Sequence, residues 1–136
     1  MADRRVCVQP CLGINIPEAT VGRQASYLAH EILLGPECSD LGCSPALFAQ
    51  VQEDVDFILE DLVIVVESCD RACATSLVRE RGGQVHATVQ VQEVLGEEGI
   101  DAGGLPREHL QLDHPAVVAV ARRIAAEAER LLGRSE

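Results

Sequence analysis

The residues best suited to chemistry are six cysteines, which fall as three pairs: Cys7 and Cys11, Cys38 and Cys43, Cys69 and Cys73. Thiolates bind zinc and softer metal ions, and they also act as nucleophiles and redox centres. No pair has the CxxC spacing of zinc ribbons or dithiol oxidoreductases, so spacing alone leaves metal binding level with redox or inert thiols. Position says more. Cys7 lies inside the β-branched run Arg5–Gln9 and reads as a core residue, since a buried cysteine behaves as a small hydrophobe. Cys38 reads as a loop thiol. Cys11 follows the first apolar run, and Cys43 directly precedes the helix start Ser44-Pro45. Cys69 follows the apolar segment Leu62–Val66, with Cys73 about one helical turn beyond it.

These thiols can act together only if the fold gathers them. Arg5-Val6-Cys7-Val8-Gln9 predicts a first strand, stopped by Pro10. From Pro17 to Leu34 the spacing is helical, with Val21, Ala25, Leu28 and Ile32 on one stripe, and Gly35-Pro36 ends it. Ser44-Pro45 opens a helix expected to run to about Leu59, with Leu47, Val51, Val55 and Ile58 inward. Leu62–Val66, apolar on both faces, predicts a central strand covered by helices on both sides. Ser68 or Asp70 is expected to cap a helix that reaches Arg81 before Gly82-Gly83. Val85, Ala87, Val89 and Val91 alternate with polar residues, as in a strand at or near an edge. Gly96–Leu112 predicts a surface loop, and Asp113-His114-Pro115 starts a last helix to about Leu132.

Strands alternating with helices predict a three-layer α/β domain over residues 1–136, Rossmann-like or flavodoxin-like, with a mainly parallel sheet of about four strands. In such a sheet ligands bind outside the carboxyl ends of the strands. Helix N-termini there favour thiolate over thiol. Cys11, Cys43, Cys69 and Cys73 all fall at strand ends or helix starts. Four sulfurs around one ion would make a closed tetrahedral zinc site, with Zn–S of about 2.3 Å.

Three segments carry a resemblance: Gln9-Pro10-Cys11-Leu12-Gly13-Ile14, Cys43-Ser44-Pro45-Ala46-Leu47, and Ile64-Val65-Val66-Glu67-Ser68-Cys69-Asp70-Arg71-Ala72-Cys73-Ala74. With Gly82-Gly83-Gln84-Val85 they resemble the DGC-domain family, whose members are described as zinc-binding. The likeness spans about residues 5 to 132. It implies zinc as the cofactor and Cys11, Cys43, Cys69 and Cys73 as its ligands. The family's Asp-Gly-Cys motif reads Glu67-Ser68-Cys69 here, and Asp70 stands where the family has proline. Cys43 is preferred to Cys38 as the central ligand because a helix start follows it directly.

Bulk properties narrow the partners. The 136 residues hold 22 acidic side chains against 11 basic ones, all Arg, for a net charge of −11, which disfavours nucleic acid and anionic membranes as partners. Aromatics are 2 % of the chain, so the core must be built from Val, Leu, Ile and Ala. Met1–Val6 holds no apolar run suited to a signal peptide, and no stretch is long enough to span a bilayer. The cytoplasm is the expected compartment, where cysteines serve more often as metal ligands or redox thiols than as structural disulfides.

Two rival readings use the same sulfurs: a thiol enzyme or redox sensor, with Cys69 attacking and Cys73 or Cys11 resolving, and an iron–sulfur cluster protein. No catalytic motif is present to settle whether the chain is an enzyme, and no phosphate-binding glycine loop occurs. His30 is expected to pack or face solvent, and His86 to be solvated. His109 and His114 are weaker candidates for replacement ligands. Asp54, Asp56, Glu60 and Asp61 are expected to form a solvated acidic helix face. A metal ion is the one partner implied, and an apolar edge strand leaves room for a homodimer.

Overall fold

The computed structural model describes residues 4–134. Met1 to Asp3, the start of the stretch read above for a signal peptide, and Ser135-Glu136 lie outside the described residues. Four strands form one parallel sheet: β1 (Val6–Pro10), β2 (Ser39–Leu41), β3 (Leu62–Glu67) and β4 (Ala87–Gln90). Their order is β2-β1-β3-β4, the flavodoxin-like arrangement expected for the first four strands of such a fold. β1 and β3 are central and pair over five positions, from Val6 opposite Leu62 to Pro10 opposite Val66. Every residue of both strands is buried.

Strand alternation divides the interior in two. Val6, Val8, Ile64 and Val66 face one side, with buried residues of α1 (Pro17–Leu28), α5 (Val91–Glu97) and α6 (Pro115–Leu132). Cys7, Val63 and Val65 face the other, with Leu47 of α2 (Ser44–Phe48), Ile58 of α3 (Gln52–Glu60) and Ala74 and Val78 of α4 (Cys73–Glu80). Two helical layers on a sheet buried on both faces are the three-layer domain expected from the apolar run at β3. Cys7 is fully buried in the second core. Burial, followed by nearby Asp61, pushes its thiol pKa well up.

Three expected elements differ in detail. The first long helix gives way after Leu28 to a π-helical turn, Ala29–Leu34, closed by Gly35 at φ +92°. The wider turn shifts the face presented to the core, so Leu34 is buried while Ile32 is 68 % exposed. The helix expected from Ser44 to Leu59 is two helices, broken where Gln50 takes φ +63°. The break rotates α3 relative to α2, and Val51 faces solvent instead of the core. Finally, Val91 does not extend β4 but opens α5, whose Val91, Val94 and Leu95 are buried. Apolar residues spaced three and four apart were masked there by the preceding strand alternation. No helix among the described residues is long and apolar enough to cross a membrane.

Candidate thiol site at the carboxyl ends of β1 and β3

The strand order turns back between β1 and β3: the chain leaves β1 toward β2 on one side and later continues to β4 on the other. At such a reversal the flanking connections diverge and leave a crevice at the carboxyl ends, the usual ligand position in an open α/β sheet. Cys11 leaves β1 and Cys69 leaves β3 at this point. The Cys11 N–H donates to the Val66 carbonyl at 2.9 Å, so the pairing of β1 with β3 continues one residue past the strand and anchors the cysteine. The Cys69 carbonyl accepts from Gln90 Nε2 at 3.0 Å, which ties it to the end of β4.

Between Cys69 and Cys73 the chain makes a turn, with Ala72 in the left-handed region at φ +54°, and α4 begins at Cys73 itself. The two thiols are therefore joined by a turn rather than stacked on one helix face. Neither Ser68 nor Asp70 caps α4, contrary to expectation. The cap comes from Glu67, the last residue of β3. Its carboxylate, in a residue 2 % exposed, accepts from Ala74 N at 3.3 Å and Thr75 N at 2.7 Å. It also accepts from Thr75 Oγ1 at 2.6 Å. A strand residue capping the helix seven positions later has no local sequence signature, which is why only the fold reveals it.

Cys11, Cys69 and Cys73 line one cleft of about 340 Å³, together with Glu18, Ser68 and Arg71. Cys11 and Cys73 also line a neighbouring apolar cleft of about 350 Å³ that reaches Leu12 and Phe48. Cys11 is half-buried and Cys73 exposed. Burial raises the Cys11 pKa, and the Glu67 and Cys73 charges push the same way. The Gly13 N–H and the Ser68 hydroxyl oppose them.

Cys43 is placed differently. Its N–H donates to Asp54 Oδ1 at 3.0 Å, and the Ser44 hydroxyl donates to the Pro10 carbonyl at 2.8 Å. The backbone beside Cys43 is thus stitched to the end of β1. Its exposed thiol, however, lines a separate cleft with Leu12, Tyr27 and Gly42. The fold brings three of the four expected ligands to one cleft and leaves the fourth beyond Leu12. Among the described residues, no three His, Cys, Asp or Glu side chains are placed to grip a single ion. Cys38 lies elsewhere, partly buried, with its thiol donating to the Leu34 carbonyl at 3.3 Å.

Several side chains carry duties that their sequence context concealed. Asp54, expected on a solvated face, is buried and holds the Cys43 backbone. His86 is not merely solvated: its Nδ1 accepts from Val63 N at 2.8 Å, and burial lowers its pKa. His30 Nδ1 pairs with Ser39 Oγ at 2.8 Å, while His114 Nδ1 accepts from Ala116 N and caps α6. His109 lies exposed in the 98–114 region.

At the opposite end of the sheet, Arg5 grips Asp40 through Nε at 3.1 Å and Nη2 at 2.8 Å. Asp61 is 8 % exposed, and its Oδ2 has no hydrogen-bond partner. Burial first, then Asp40, pushes the Asp61 pKa up to about 7.

Comparison with family models, curated proteins and solved structures finds no match.

Proposed function

We propose that this protein binds zinc through thiolates at the β1/β3 crevice, in a structural or accessory role in the cytoplasm. The observation that carries the reading is the convergence of Cys11, Cys69 and Cys73 on one cleft at the turning point of the sheet. Their soft sulfur donors suit zinc. A second feature favours a cation over a bare nucleophile. Glu67 takes the Ala74 and Thr75 N–H groups in the first turn of α4, so a thiolate does not receive those two, and its negative charge opposes ionisation of Cys11. A metal ion would be stabilised by that charge. When bound, zinc would order the connections after β1 and β3. Cys43, the fourth expected ligand, joins only if its thiol turns past Leu12; otherwise an outside ligand completes the shell.

Elemental analysis of protein purified without added metal tests the reading. About one zinc per chain is expected, and less than about a tenth of an equivalent of any transition metal overturns it. Retention of metal in Cys43→Ser separates a three-sulfur site from a four-sulfur one.

The placement of Cys11 and Cys73 on both adjoining clefts favours one second reading, a reversible dithiol pair. Rapid alkylation of a single cysteine at neutral pH, with a disulfide that forms and reduces reversibly, would favour it over zinc.

A further inference from the structure

We infer that the acidic cleft at the amino ends of the strands binds a linear aliphatic polyamine, at a site independent of the thiol crevice. Arg5 precedes β1 and Asp61 precedes β3, so both stand at the end of the sheet opposite Cys11 and Cys69. Glu53, Asp56, Phe57 and Glu60 recur three and four positions apart on α3, which sets them along one helix face for about 10 Å. With Asp40 and Asp61 that face lines a cleft of about 560 Å³, a size suited to a small organic ligand.

Asp61 is what points to a ligand. It lines the cleft while only 8 % exposed, and its Oδ2 has no hydrogen-bond partner. A buried carboxylate oxygen without a donor forfeits its hydration without replacement. The arginine of the cleft does not supply that donor. Arg5 gives Nε and Nη2 to Asp40, and otherwise serves the carbonyls of Pro36, Glu37 and Ser39. Among the described residues no arginine pairs with Glu53, Asp56, Glu60 or Asp61, and the chain has no Lys. Asp61 is also the C-cap of α3, where the helix carbonyls add negative potential. The donor that Asp61 lacks is therefore a cation from outside the chain. Below about pH 7 a retained proton relieves Asp61; a bound ammonium would take that proton's place. The spacing of the carboxylates gives the ligand its shape. Among the described residues no three are placed to grip a single ion, which disfavours a compact metal. A row of separated charges matches separated ammonium groups: one at Asp61, others toward Glu60 and Glu53, with the methylenes between them against Phe57.

Isothermal titration calorimetry with spermidine at about pH 8, where Asp61 is ionised, tests the inference. One equivalent is expected to bind, at least about tenfold more tightly than butylamine, which has a single ammonium. Asp61→Asn should weaken spermidine binding about tenfold or more. Glu60→Gln, on the exposed face of α3, should weaken it about two- to fivefold and serves as the readout if Asp61→Asn does not fold. Glu80→Gln removes the same charge from an exposed position on α4, outside the cleft, and should leave binding unchanged. Equal losses in Glu60→Gln and Glu80→Gln, or heats that never saturate, overturn the inference, since they report diffuse attraction to a net charge of −11. Two other results overturn it: Mg²⁺ or Ca²⁺ alone binding with the same dependence on Asp61 while spermidine does not, and a tetralysine peptide binding where spermidine fails. Protein stripped by chelator is expected to bind spermidine as tightly as untreated protein, so a failure of the zinc reading leaves this site standing.

Discussion

At the residue scale, two cysteines of the chain make opposite predictions. Cys69 leaves β3 beside the crevice, while Cys7 is buried within β1 among Leu47, Val63 and Val65. Cys69→Ser should lose bound zinc and, with it, the stabilisation that zinc confers. Cys7→Ala should keep the metal and cost about 1–2 kcal/mol in packing, measured by denaturant unfolding. Equal metal content in both variants would show that the ligands are misassigned. Asp61 makes a prediction in pH. Its folded pKa of about 7 lies above the ordinary carboxyl value near 3.8. Between those values the folded state keeps a proton that the unfolded chain has released, so stability falls as pH rises through this window. The contribution is complete below about 3.8 and gone above about 7. Burial opposes the neighbouring Asp40 charge, but the Arg5 guanidinium prevails and holds that carboxyl below its usual range. Asp61→Asn, which keeps the side chain's shape but cannot titrate, should flatten the decline in melting temperature between pH 4 and 7. An unaltered slope would locate the dependence elsewhere.

At the scale of elements, the crevice depends on two locks. Glu67 fastens β3 to the start of α4 and so fixes the turn between Cys69 and Cys73. Glu67→Ala strands two backbone N–H groups and the Thr75 hydroxyl. It should destabilise the fold by about 2 kcal/mol and increase hydrogen exchange at Ala74 and Thr75. The second lock is the Gln9–Ser44–Pro10 chain of hydrogen bonds that holds the Cys43 segment against β1. Gly42 makes room for it: a Cβ there would lie 2.1 Å from Gln9 Oε1. Gly42→Ala should expel the buried Gln9 amide and cost about 1–3 kcal/mol, with the loss concentrated in protection of the Cys43–Leu47 amides. The first helix and the terminal helix were legible because their periodicity extends over many residues, and the central strand because its apolar run fills both faces. The break at Gln50 and the turn from β4 into α5 were not, since each depends on which face the neighbouring layer leaves open.

At the scale of the molecule, the chain is an acidic α/β sheet protein whose thiol crevice joins connections far apart in sequence. A ligand there should stabilise the whole fold. Zinc at a hundred times its dissociation constant adds about 2.7 kcal/mol. For a chain of this size that is a rise of several degrees in melting temperature, reversed by chelator. A melting curve indifferent to both zinc and chelator would argue against any resident metal.

Apolar runs, helix-opening prolines and strand–helix alternation determined the parallel sheet and the positions of Cys11 and Cys69 after its strands, because these signals are local and summed along the chain. They also placed Cys7 in the core, where its strand position demands it. Tertiary structure alone decided that Cys43 opens on a separate cleft, that Glu67 caps α4, that Asp54 and Asp61 are buried, and that Ser68 lies buried at the cleft of Cys11, Cys69 and Cys73. Each of these outcomes depends on contacts between segments brought together across the sheet, and such contacts leave no periodic trace in the sequence.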